Sequence, residues 1–323
     1  MTLADPPIRF DPLIDLRRLI NELSDLKRIT SARFDGSLAS HRFGGAIAAM
    51  REIADRIESN RDADTALDRL ARDEVAAAII ATRGSAMDVE ALVDLGVDRQ
   101  KAFEFFLPAL REHLDDDAIA ALRLDDRKDD APQRLANAGE GVQEFCRRMI
   151  AEPRSGATAI GKSRVLVTPT ESHADHCYLT AVTASLFCLL DPNRRGWMGQ
   201  AFVAGMLHHA HNAVLPDGGF AGELMLGDDL PTIIAAARSR AIAMLGHTMA
   251  PWVHSASQVM THVEDDLSQV VNAADAVDRV MQTRYHEQVA TFDADDVCRR
   301  LELVHAGPLQ SFQQSALRQL GLA

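Results

Sequence analysis

Apolar residues recur along this chain with a helical period. In residues 12–29 (PLIDLRRLINELSDLKRI), Leu13, Leu16, Leu19, Ile20, Leu23 and Leu26 share one face, which predicts an amphipathic helix. Residues 43–58 and 64–82 repeat the pattern with many alanines. Asp88 stands ahead of VEALVDLGV, and residues 99–113 form another apolar-faced segment in which Pro108 is expected to kink or end a helix. Beyond residue 135 the pattern predicts helices near 138–151, 174–190, 197–212, 231–250, 252–263, 267–289 and 309–320. Strand signals are scarce, and RVLVT at 164–168 is the best of them. The expected fold class is therefore all-α.

The charged stretch LDDRKDDAPQR, residues 124–134, reads as a linker. It predicts a helical module over residues 1–135, regulatory or dimerising, and a second domain over 136–323. The first of these shows no motif for chemistry.

Composition supports the helical reading. Hydrophobic residues make up 47% of the 323, yet aromatics only 5%. Ala and Leu dominate the apolar set, which suits packed helices better than sheets. Lys and Arg number 34 against 47 Asp and Glu, for a net charge of −13. Such a surface repels nucleic-acid backbones and anionic membranes, so neither is an expected partner. The four cysteines form no CxxC pair, and Cys177 and Cys188 sit in an apolar helical pattern as buried free thiols. The N-terminal residues do not resemble a signal peptide, and no apolar run reaches the length of a membrane span, so a cytoplasmic location is expected.

Two features carry candidate chemistry. GATAIGKS, residues 156–163, fits the phosphate-loop template. That template needs a strand before it and a helix after it; here a helical pattern precedes, and RVLVTPTES with Pro169 follows, so the match is read as chance. The second feature is the placement of histidines. The chain has 12, and His173 and His176 open one apolar helix while His208, His209 and His211 crowd the end of another. Asp275 and Asp278 lie in a third, within VVNAADAVDRVM. Imidazoles and carboxylates on separate helices can converge on one ion in a bundle.

In order and spacing these segments resemble the HD superfamily of metal-dependent phosphohydrolases, closest to its HD-GYP branch. SHADHCYLTAVTASLF is similar to the first motif, with His176 in the ligand position. AFVAGMLHHAHNAVLPD resembles the segment built on LLHDIGK, and its Pro216–Asp217 pair sets His208 against the His of the doublet. VVNAADAVDRVMQTRY resembles the late motif, with Asp275 as its final ligand and Arg284–Tyr285 following. The resemblance implies an HD-type helical domain. It implies a divalent transition metal held by His176, His208, His209 and Asp275, with Fe, Mn, Zn or Ni suited to three imidazoles and a carboxylate. Asp278 or His211 would orient water or act as base, and Arg284 and Asn212 would face the phosphorylated ligand.

The chain also departs from that pattern. His209 stands where the family carries a metal-bridging Asp, and an imidazole cannot supply a bridging carboxylate, so one ion is expected rather than two. Asn212 replaces the Lys four residues after the doublet His, and the HHExxDGxGYP signature is absent. Only THVEDD, residues 261–266, occupies that region. Cyclic di-GMP hydrolysis is not expected. Two readings follow: a hydrolase of a nucleotide or other small phosphorylated compound, and a degenerate HD domain that binds a protein partner in signalling. Exposed helical faces are compatible with a homodimer.

Overall fold

A computed structural model describes residues 16–56, 60–124, 135–154, 170–261, 265–287 and 293–322 except 301 and 305. The chain is all-α. Its helices are α1 (Leu16–Ser24), α2 (Leu38–Arg56), α3 (Asn60–Gly84), α4 (Val89–Asp94), α5 (Arg99–Arg111), α6 (Asp116–Ala121), α7 (Glu140–Ala151) and α8 (His173–Leu190). They continue with α9 (Met198–Leu207), α10 (Gly219–Leu226), α11 (Leu230–Leu245), α12 (Ala250–Val259), α13 (Asp266–Glu287), α14 (Ala294–Arg300) and α15 (Gln310–Gln319). Among the described residues, β-type pairing is confined to two isolated bridges, Ser31 with Phe34 and Pro153 with Ser172. The phosphate-loop match, the RVLVT segment and most of the linker stretch lie outside the described residues.

Helix α8 is the centre of the fold. After its first turn it carries no charged residue, and every residue from His173 to Leu189 is buried. A helix that is apolar all round must be enclosed on all sides. Its start is fixed by a capping box, in which Ser172 Oγ accepts from the Asp175 amide and Asp175 Oδ2 accepts from the Ser172 amide. Helix α9 crosses α8 at close range because Gly205 has no side chain; a Cβ there would overlap the Ala181 backbone. Helix α13 packs on α8 as well, with Asp275 and Asp278 three residues apart on one buried face.

One apolar core joins helices from both halves of the chain, from Leu16 of α1 to Leu317 of α15. Tyr178 of α8 donates its hydroxyl to Glu74 Oε2 of α3 at 2.9 Å, so the two halves also share buried polar contacts.

Several boundaries differ from those the periodicity predicts. The first apolar stretch is helical only to Ser24 and then tightens into a 3₁₀ turn over Asp25–Lys27. Pro108 neither ends nor breaks α5, which runs on to Arg111. Helix α9 stops at Leu207, not near 212. A 3₁₀ turn over Ala210–Ala213 follows, so the three histidines sit on a tight reversal rather than on a continuing helix face.

Candidate metal centre

Three elements deliver the central side chains. His176 comes from the second turn of α8, His208 and His209 from the C-terminal end of α9, and Asp275 from the middle of α13. One potential ligand atom from each lies within 4.8 Å of the others. His176 is fully enclosed, and His208 and Asp275 are nearly so.

Hydrogen bonding fixes which atoms face inward. His208 Nδ1 lies 2.7 Å from the Gly205 carbonyl, which can only accept, so Nδ1 carries the proton and Nε2 keeps its lone pair. His176 Nδ1 donates to Asp278 Oδ2 at 2.7 Å, which likewise turns its Nε2 inward. The two Nε2 atoms are 3.2 Å apart. Asp275 Oδ1 lies 3.1 Å from His176 Nε2 and 3.9 Å from His208 Nε2, and no hydrogen bond satisfies it. Three potential ligand atoms thus converge and could hold a cation between them. Bonds of about 2.0–2.1 Å at tetrahedral angles place neighbouring donors about 3.3–3.4 Å apart, close to two of the three separations, while the His208–Asp275 one is wider at 3.9 Å.

Electrostatics keep His208, His209 and Asp275 deprotonated. Burial, aided by the nearby His176, pushes the His208 imidazole down to about 3. Burial and four neighbouring imidazoles hold His209 well below its ordinary value. Burial alone would raise the Asp275 carboxyl, but Arg279, at 2.9 Å from Oδ2, and His176 hold it well below the usual carboxylate range. Neutral imidazoles and an ionised carboxylate are the forms a metal ion requires.

A second layer surrounds these four. Asp278 does not reach the converging atoms; its carboxylate lies between His176 Nδ1 and Lys27 Nζ, 2.8 Å from Oδ1. Lys27 also pairs with Glu171 Oε2 at 2.7 Å, and Glu171 Oε1 accepts from Arg28 Nη2 at 2.8 Å. Arg28 lies over the Tyr285 ring. Lys27, Glu171 and Arg279 carry no motif and are invisible to sequence spacing. The one available signal is a lysine following Leu26 in an otherwise apolar-faced turn.

The remaining candidates are distributed around this core. The half-buried His211 has its ring 5.7 Å from that of His209, and burial lowers its imidazole to about 4. Asn212 Nδ2 donates to the Leu215 carbonyl and holds the turn, while its Oδ1 is buried without a hydrogen bond. Arg284 is engaged elsewhere, with Asp295 Oδ1 and the Leu322 carbonyl, both at 2.9 Å. His173 lies beside the cluster with Nε2 3.3 Å from Asp217 Oδ2. No helix among the described residues is long and apolar enough to cross a membrane.

No protein-family model matches the chain, and no curated protein or solved structure matches it.

Proposed function

We propose that this protein is an HD-type metal-dependent phosphohydrolase that acts on a nucleotide or another small phosphorylated compound through one divalent transition-metal ion. The observation that carries the reading is the convergence of His176 Nε2, His208 Nε2 and Asp275 Oδ1, with both Nδ1 atoms already committed to acceptors. A divalent ion held there would supply Lewis acidity toward water and a phosphoryl oxygen.

The chain's own residues favour an anionic ligand. Around the centre, Lys27, Arg28 and Arg279 face Glu171, Asp275 and Asp278, so cations and carboxylates balance. The charge of a bound ion is then left uncompensated, which attracts an anion in this low-dielectric setting. Asp278 orients His176, and His209 and His211 extend the imidazole cluster toward the half-buried side.

Burial supports a second reading, a degenerate HD domain with a structural ion and a protein-binding role. His176 is 0% and Asp275 6% exposed, which leaves little room for substrate in this conformation.

Metal analysis of purified protein separates these readings in two stages. About one equivalent of transition metal in the native chain, lost in His208→Ala and Asp275→Ala, is expected; no metal after reconstitution with Zn, Mn, Fe and Ni would remove the hydrolase. A panel of phosphomonoesters and phosphodiesters follows. Turnover abolished by both substitutions supports the enzyme, and metal without turnover supports the binding module.

A further inference from the structure

Lys27 comes from the segment of the chain that shows no motif, yet its ammonium is the most enclosed charge near the cluster. Its side chain is 0% exposed. It holds Asp278 at 2.8 Å and Glu171 at 2.7 Å, across separations of 251 and 144 residues. A buried ammonium gives up its hydration, and here two carboxylates replace the lost water.

The two carboxylates are not equivalent bystanders. Asp278 receives His176 Nδ1–H and so sets the direction of His176 Nε2. Glu171 directly precedes Ser172, the capping residue of the helix that presents His176. Lys27 therefore braces one ligand twice, through its hydrogen-bonded carboxylate on α13 and through the start of α8. Without the ammonium, Asp278 would lose the contact that holds its second oxygen and could rotate. That rotation would free the His176 ring.

We propose that Lys27 is a positioning residue for the metal centre: the turn after α1 completes the site by locking Asp278 onto His176. The proposal rests on the metal-binding reading given above. Partners of ligating histidines are worth about 10- to 100-fold in metal affinity in comparable sites.

The experiment uses the full chain, with Zn affinity measured by competition against a chromophoric chelator and the ligand field read from the visible spectrum of the Co(II) form. Lys27→Met is expected to weaken Zn binding about 10- to 100-fold and to change the Co(II) bands. Asp278→Asn is expected to do the same, and Lys27→Met added to Asp278→Asn to weaken binding no further. Removing Lys27 leaves two buried carboxylates without their shared cation. Lys27→Met/Glu171→Gln offsets that charge while leaving Asp278 unclamped, so it serves where the single variant does not fold. A purely structural lysine would lower the urea midpoint but leave the affinity and Co(II) spectrum of the folded protein unchanged. That result, in any folded Lys27 variant or in Asp278→Asn, overturns the proposal. Failure of the native chain to bind any metal is a different outcome; it removes the metal centre itself.

Discussion

His176 and His208 face one another through Nε2 atoms 3.2 Å apart, and each has its Nδ1–H already given to an acceptor. Two neutral rings held this way oppose their lone pairs, with an Asp275 oxygen alongside. A metal ion between the three atoms would satisfy all of them at once. The fold invests two helix ends and a central helix in holding the three atoms together, and this has measurable consequences.

Metal should stabilise the folded chain. An ion that binds only the native state adds about 2.7 kcal/mol at a free concentration 100 times its Kd. Thermal unfolding monitored by fluorescence should therefore move to lower temperature after treatment with a chelator and return on adding Zn. His208→Ala should abolish the response. A chelator-insensitive midpoint in the native chain would count against the site.

The contact between α8 and α9 should be intolerant of even one carbon atom. Gly205 lies against the Ala181 backbone and also presents the carbonyl that orients His208. Overpacking a close helix contact costs about 1–3 kcal/mol. Gly205→Ala should lower the unfolding free energy obtained from urea titration by that amount and weaken metal binding in the fraction that still folds. Unchanged stability would mean that the helices separate without penalty.

How much of this was readable from the chain follows from the range of each interaction. The helices are local objects, and their apolar period located most of them. The candidate residues were also legible, because His173, His176, His208, His209, His211, Asp275 and Asp278 stand inside apolar patterns, where polar groups need a reason to be present, and the family resemblance singled out the four that converge. The turn that aims the doublet was not. Helical spacing pairs residue 208 with 211, whereas α9 ends at Leu207 and the following 3₁₀ turn reorients all three rings. Lys27 was illegible for another reason. Its partners are far away in sequence, and a lysine in an amphipathic segment looks like any solvated charge until the tertiary contact encloses it.

Thiol reactivity should report the tightness of the core. Burial pushes the Cys188 thiol up to about 12, and Cys146 and Cys177 are raised further by the same cause. Thiolates are the reactive form, so these three should resist a water-soluble disulfide reagent in the native state. Cys298, which is only partly buried, should react first. Mass-spectrometric mapping of the labelled sites would check the order, and rapid modification of Cys177 would contradict the enclosure of α8.

Acid should destabilise the metal-free chain in a defined window. Burial lowers the His173 imidazole to about 4 in the folded state, against about 6.5 in the unfolded chain. Between those values the unfolded state binds the extra proton, so stability rises with pH across the window and is lost as pH falls from about 6.5 toward 4. Each unit of difference is worth about 1.4 kcal/mol. His208 and His211 are depressed for the same reason and act in the same direction. The urea midpoint of the chelated protein should therefore be flat between about pH 7 and 8 and fall steadily below 6.5. His173→Gln removes one of these protonation sites while keeping a polar side chain, so its midpoint should fall less steeply over the same range. Identical slopes for the native chain and the variant would show that His173 is not held neutral by its surroundings.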